Sequence, residues 1–320
     1  MAKIGSDIKI VQDLLIRSEL AGIPTETVYG LAANAFDPVA VAKIFKVKER
    51  PSFDPLIVHT FNLEQAKGFV ENIPEKAHTL ARTFWPGPLT LIFRKKPIIP
   101  DIVTAGLDTV AVRVPSHPMT LELLRSLDFP LAAPSANPFG YVSPTSADHV
   151  NEQLGDKIEY VLDGGFCSVG IESTILSFEG EDVSVLRLGG CKVEEIEKII
   201  GKVSVKTTSS SNPAAPGMLE SHYAPRTPVI IGNISELIHK HKHQNIGLIS
   251  FKNEIDGFNP RHQFILSKKG NIDEAATRLF TGLREMDALN LQFILSEYVP
   301  DAGLGRAIND RLRRSEVIRN

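Results

Sequence analysis

Residues 23–59 read IPTETVYGLAANAFDPVAVAKIFKVKERPSFDPLIVH, and this stretch sets the reading of the fold. It opens with a polar turn, Pro24-Thr25-Glu26-Thr27, followed by the Gly/Ala-rich segment 30–35. Asp37 is placed to cap a helix predicted over 38–48, with proline at its first position. That helix carries Lys43, Lys46 and Lys48, Arg50 follows it, and Pro51 ends it. Residues 56–59, Leu-Ile-Val-His, have the apolar run of a buried strand. A hydroxyl turn, a cationic helix end and a histidine at a strand end so close together suggest an anion site on an α/β scaffold.

Upstream, apolar residues at three- and four-residue spacing predict a helix over 8–18. Downstream, helices are expected over 63–70, 74–84, 117–127, 146–153 and 193–200. Strands are expected over 89–93, 110–114, 131–133, 160–163, 173–178 and 185–188. Mixed strands and helices joined by long loops imply an open α/β sheet. Residues 206–216, KTTSSSNPAAP, have linker composition. After them come a second set of strands, 229–231, 246–251, 264–266 and 293–296, and helices over 234–241, 273–288 and 307–315. The chain is therefore divided into a first domain over 1–205, a linker or latch over 206–228, and a smaller α/β domain over 229–320.

The 320 residues leave room for a sizeable core, and the formal net charge of −3 supplies no global field for nucleic acid. Any such contact would need a local basic patch. Cys167 and Cys191 have neither metal-ligand spacing nor a disulfide framework, which fits a reducing compartment. The first ten residues, MAKIGSDIKI, lack the apolar core of a signal peptide, and no apolar run approaches membrane-helix length. A cytoplasmic protein is the expectation.

Several short motifs carry chemistry, each with a plainer reading beside it. Lys48 and Arg50 could spread over successive phosphates, or simply complement a helix C-terminus. In Pro134-Ser135-Ala136-Asn137, alternation lets Ser135 and Asn137 face one pocket, although the same residues suit an ordinary turn. Gly170-Ile171-Glu172-Ser173 could bring backbone close to a ligand or form a glycine hairpin. Arg113 lies in the alternating VAVRVP and, if buried, needs an anionic partner. His59 is either a pocket residue or a structural one. Residues 220–226, ESHYAPR, suit a latch or an inter-domain contact. No phosphate loop, dinucleotide fingerprint, zinc motif or nucleophile elbow is present, so the chemistry needs no protein nucleophile.

Taken in order, PTETVYGLAANAF, KVKERPSFDPLIVH, FWPGPLTLIF, VAVRVPSHP, LAAPSANPFGYVSPT, DGGFCSVGIESTI and LRLGG resemble the YrdC-like domain of threonylcarbamoyl-AMP synthases. Lys48, Arg50, Ser135 and Asn137 meet the family's KxR…SxN signature. PGMLESHYAPRTP and GLGRAINDRLRRS resemble the long, two-domain form. The resemblance implies a YrdC-like open, twisted mixed sheet with a large cavity, plus a smaller Rossmann-like domain. It implies a nucleotidyltransferase that joins L-threonine, bicarbonate and ATP into L-threonylcarbamoyl-AMP with release of pyrophosphate. A separate tRNA threonylcarbamoyl-transferase complex would then act on adenosine next to the anticodon. Mg²⁺ is implied through the ATP phosphates, with no protein metal site. By motif match, Thr27, His59, Arg113, Ala133 and Ser173 would hold threonine. Lys48, Arg50, Asp54, Thr109, Ser135, Asn137, Ser143, Arg187 and Arg226 would line the ATP side, with Lys48 and Arg50 offsetting triphosphate charge. Asp54 stands where the family often has Asn, and Tyr141 where a basic residue is common. The competing readings are a non-catalytic RNA-binding module and a carbamoyltransferase module of the hydrogenase-maturation type; the latter lacks its cysteine pattern here.

Overall fold

In the computed structural model, which describes residues 1–207, 215–216 and 223–316, two sheets form. The strands of the first are β1 (Lys3–Gly5), β2 (Ala21–Ile23), β3 (Gly30–Asn34), β4 (Ile57–His59), β5 (Leu89–Arg94), β6 (Thr109–Arg113), β7 (Leu131–Ala132), β8 (Tyr160–Leu162), β9 (Thr174–Glu179), β10 (Asp182–Arg187) and β11 (Ser204–Val205). They make one eleven-stranded mixed sheet in the order β1-β8-β2-β3-β7-β4-β6-β5-β9-β10-β11. The second sheet is four-stranded and parallel in the order β12-β15-β13-β14, from Val229–Ile231, Ile246–Ser250, Gln263–Ile265 and Phe293–Ser296 (β12 to β15 in chain order). The expected open α/β sheet with a smaller α/β partner is what forms.

The helix Pro38–Lys48 shows how local chemistry sets an element. The Asp37 carboxylate accepts from the Val39 amide, Pro38 occupies the first turn, and Glu49 closes the end in the left-handed region at φ 54°. Most of the Gly/Ala-rich segment forms strand β3, Gly30–Asn34. It is buried between β2 and β7, where small side chains let sheet and helix approach closely. The edge strands β1 and β11 and the short β2 were not evident from pattern, because two- or three-residue strands carry almost no periodicity.

One apolar cluster joins the two sheets. It runs from Val28, Val142 and Ile171 through Tyr223 to Phe280, Leu283, Ile308 and Leu312. No helix among the described residues is long and apolar enough to cross a membrane.

Candidate active site

Sheet register assembles the site. His59 of β4 pairs with Arg113 of β6, which pairs with Thr90 of β5. Thr90 pairs with Ile175 of β9, and Ile175 with Arg187 of β10. Directly opposed residues share a face, so this row projects from one side of the sheet. Strand β10 should alternate, and Val183 and Val185 do pack into the opposite core. A register shift between Val185 and Arg187 inserts Leu186 as an extra residue and turns Arg187 onto the cavity side.

The turn Thr25–Val28 closes one wall. The Thr25 hydroxyl donates to the Val28 carbonyl at 2.6 Å and accepts from the amides of Thr27 and Val28. This holds Thr27 so that its hydroxyl accepts from Arg113 NH1 at 2.8 Å. Arg113 also donates through Nε to the Gly87 carbonyl and lies 2.7 Å from the Glu26 carboxylate through NH2. That ion pair is buried and close, but angled away from hydrogen-bond alignment. Glu26 uses its other oxygen to accept from the Ser116 amide. The carboxylate that sequence required for a buried Arg113 is thus its own neighbour in the turn.

Opposite, Ser173 is held between the Thr90 hydroxyl at 2.7 Å and Arg187, which donates to Ser173 Oγ and to the Ser173 carbonyl at 3.0 Å each. Arg187 also donates to the Pro216 carbonyl at 3.3 Å. Thr27, Arg50, His59, Arg113, Ala133, Ser135, Ser173 and Arg187 all line one cavity. Thr25, Val28, Gly30, Ile57, Pro134, Glu172, Pro216 and Tyr223 complete it, and none of these was singled out as a ligand contact from sequence. The free space among them is about 50 Å³, well below the roughly 300–1,000 Å³ of ligand pockets.

The remaining expected residues lie elsewhere. Lys48, 1% exposed, donates through Nζ to the carbonyls of Ser135 and Asn137 and so fixes that turn from behind. Burial, reinforced by Arg50, pushes its ammonium well below the usual lysine range. Asn137 donates to the carbonyls of Pro138 and Tyr141, while its Oδ1 is buried without a hydrogen bond. Asp54 does not line the cavity. It is fully buried against Arg50, 2.8 Å from NH2, and its backbone carbonyl accepts from Arg50 Nε. Burial raises the Asp54 carboxyl above its ordinary value, and Arg50 only partly opposes this. Ser143 donates to Glu172 at 2.5 Å and lies behind the wall. Thr109 points the same way as Arg113 but four residues earlier, about 13 Å along an extended strand. Arg226 is exposed and sits in a separate depression with Tyr141, Thr227, Arg284 and Asp287, so the fold does not bring it to the cavity. Tyr141, where a basic group was expected, donates to Asp287 at 2.6 Å. Of the supposed latch, Glu220, Ser221 and His222 lie outside the described residues.

His59 is buried, and burial first, then the Arg113 charge, lowers its pKa to about 3. Its imidazole is neutral at physiological pH and can accept or donate one hydrogen bond without changing charge. The sign for stability follows from a folded-state pKa below the unfolded one. The contribution is complete above about 6.5 and is lost as pH falls through that value toward 3. Chemical denaturation at pH 5.5 is expected to give about 1.4 kcal/mol less stability from this residue than at pH 7.5. A His59→Gln variant should lack that increment; an unchanged pH slope in the variant would count against it.

Comparison with known proteins now adds to this geometry. Residues 13–189 match a family model described as "Telomere recombination", and residues 191–316 match "Threonylcarbamoyl-AMP synthase, C-terminal domain". The chain belongs to the threonylcarbamoyl-AMP synthase family. It is 41% identical to the threonylcarbamoyl-AMP synthase of Pyrococcus abyssi over 98% of this chain and 94% of that one. It is 41% identical to that of Bacillus subtilis over 94% and 90%. Its structure superposes on that of P. abyssi Sua5, solved in complex with L-threonine, with TM-score 0.92 and 40% identity, covering 98% of this chain and 97% of that one. The family's two-part organisation is that of the two sheets seen here. Among the described residues, no group of three or more His, Cys, Asp or Glu side chains is arranged to hold a metal ion.

Proposed function

We propose that the cavity binds L-threonine and ATP and forms L-threonylcarbamoyl-AMP, with bicarbonate supplying the carbamoyl carbon. The observation that carries this is that Thr27, His59, Arg113, Ser173 and Arg187 meet in one small cavity, with Thr90 holding Ser173 from behind: buried hydroxyls, a neutral imidazole and fixed guanidiniums together. In this reading Arg113 takes the threonine carboxylate, sharing its charge with Glu26, while Thr27, Ser173 and His59 bind its polar groups and Ala133 leaves room. Arg50 and Arg187 face the ATP phosphates from the other side, with Ser135 presented by the turn that Lys48 and Asn137 hold. Lys48 then acts through that turn, and Asp54 acts by fixing Arg50.

The threonine amine and bicarbonate condense to a carbamate with loss of water. A carbamate oxygen attacks the α-phosphorus of ATP and pyrophosphate leaves. The nucleophile comes from the substrate, so the protein's part is orientation and charge neutralisation. Cys167 fits this: its thiol is buried outside the cavity lining and pushed above the ordinary range by burial. Mg²⁺ enters as MgATP, held by phosphates and water. The product would pass to a tRNA threonylcarbamoyl-transferase complex in the cytoplasm.

We place the domain boundary near 205. Helix Val193–Ile200 packs on helix Glu75–Phe84, and β11 pairs with β10, so this segment belongs to the large sheet although the second family match begins at 191. We read 206–228 as the linker or latch, of which the described Pro216 and Tyr223 line the cavity, and 229–320 as the second domain.

Pure protein incubated with ATP, labelled threonine, bicarbonate and Mg²⁺ is expected to release pyrophosphate only when threonine is present. Absence of threonine-dependent pyrophosphate would overturn the reading. Salt-sensitive RNA binding without such turnover would favour the RNA-binding module instead.

A further inference from the structure

The second domain reaches the cavity through one buried cation. Arg311, on helix Gly305–Ser315, is 0% exposed. Its Nε donates to Glu172 Oε2 at 3.1 Å, and its NH1 donates to the Leu188 carbonyl at 2.6 Å and to Asp310 Oδ2 at 3.0 Å. The guanidinium also lies over the Tyr223 ring, 5.1 Å from its centroid. Tyr223 and Glu172 both line the cavity. Glu172 directly precedes Ser173, and its other oxygen accepts from the Ser143 hydroxyl at 2.5 Å. Asp310 is matched separately by Arg314 at 3.0 Å. Among the described ion pairs, Glu172 has Arg311 as its one partner, while Asp310 is shared by Arg311 and Arg314.

A second arginine of the same domain supports the same wall. Arg284 donates to the carbonyls of Val142 and Ser143, and Ser143 is the residue bonded to Glu172. The side of the cavity made by Glu172 and Tyr223 is thus braced by helices that follow the second sheet's strands.

We propose that Arg311 is a positioning residue for the synthase reaction: it holds the Glu172 carboxylate and the Tyr223 ring in the cavity wall, so the substrate site is incomplete without the last helix of the second domain. This deepens the assignment of the cavity as the substrate site and rests on it. The charge logic gives the inference its test. Removing Arg311 takes away the one ion pair described for buried Glu172 and leaves, among the described residues, only the unpaired Arg187 charge across the cavity, and the carboxylate must then turn, draw in water or a proton, or displace the Ser143 contact. Removing the Glu172 charge as well abolishes that conflict.

The full-length chain would be prepared as wild type, Arg311→Lys, Arg311→Met, Glu172→Gln and the Glu172→Gln/Arg311→Met double variant. Threonine-dependent pyrophosphate release is measured with separate KM values for threonine and ATP, beside a melting curve for each. Arg311→Met is expected to lower kcat/KM for threonine about tenfold or more, with a larger change in KM for threonine than for ATP, because Glu172 adjoins Ser173. Arg311→Lys should recover part of this, since charge is kept but the paired N–H geometry is not. The double variant should exceed Arg311→Met in kcat/KM.

Arg311→Met with wild-type kinetics and only a lower melting temperature would overturn the proposal. So would a double variant whose losses simply add. Where Arg311→Met is insoluble, Arg311→Lys decides: unchanged KM for threonine overturns the positioning role, and a selective rise supports it. A wild-type protein with no threonine-dependent turnover would fail the parent assignment instead, so the two failures are distinguishable.

Discussion

Arg113→Ala is expected to raise the threonine dissociation constant about 10- to 150-fold, the loss of one charge-assisted partner of roughly 1.5–3 kcal/mol. The substitution acts twice, however, because Arg113 is also the counter-ion of buried Glu26. Breaking a buried pair by deleting one partner typically costs about 3–5 kcal/mol of stability. The two effects separate in a double variant. Glu26→Gln combined with Arg113→Ala removes the orphaned carboxylate, so stability should largely return, while threonine affinity should not. Titration calorimetry with threonine and denaturant unfolding of the single and double variants check this. A threonine constant unchanged in Arg113→Ala would remove Arg113 from the binding role. Affinity restored in the double variant would show that Glu26, not the guanidinium, was the determinant.

The second large effect is expected at Arg50. Its side chain lines the cavity, yet it is tied down by the Asp54 carboxylate and the carbonyls of Asp54 and Pro55. Arg50→Ala should weaken ATP binding and also cost about 3–5 kcal/mol of stability through the stranded Asp54. Adding Asp54→Asn should recover the stability without the ATP affinity. Asp54→Asn alone carries a pH signature. Burial raises the folded-state carboxyl above its ordinary 3.8, so this group's contribution is complete below that pH and declines as pH rises through the raised value. Unfolding followed from pH 4 upward should show that decline in the wild type and not in the variant. Equal pH dependence in both would refute the assignment of Asp54 as a desolvated carboxylate. An asparagine here would avoid the desolvation cost while keeping a side-chain oxygen that can accept from Arg50.

How much was legible varies residue by residue. Helix Pro38–Lys48 was readable to its ends because its cap, its first-turn proline and its terminating proline are all local signals. His59 and Arg113 were readable as candidates because each ends an apolar strand, where a polar side chain needs a reason. Their being opposite one another was not readable, since β4 and β6 are separated by β5 in sequence and adjacent only in the sheet. Asp54 and Lys48 look like ligand contacts in a motif, but the motif does not say which side chains face the cavity and which hold the ones that do.

The sequence by itself determined the longer elements, the two-sheet organisation and the family, because cap residues, strand alternation and ordered motif blocks are properties of contiguous residues. Only the tertiary structure decided which side chains meet. The Leu186 insertion that turns Arg187 into the cavity, the Glu26 carboxylate under Arg113, and the reach of Arg311 from the second domain to Glu172 all depend on register and on packing between distant segments. So does the placing of Arg226, exposed in a separate depression beside Arg284 and Asp287. The physical reason is shared. Local preferences fix how each segment runs, whereas the direction a buried charge faces is set by where its counter-charge and its desolvation cost can be met, and that is decided by the fold as a whole.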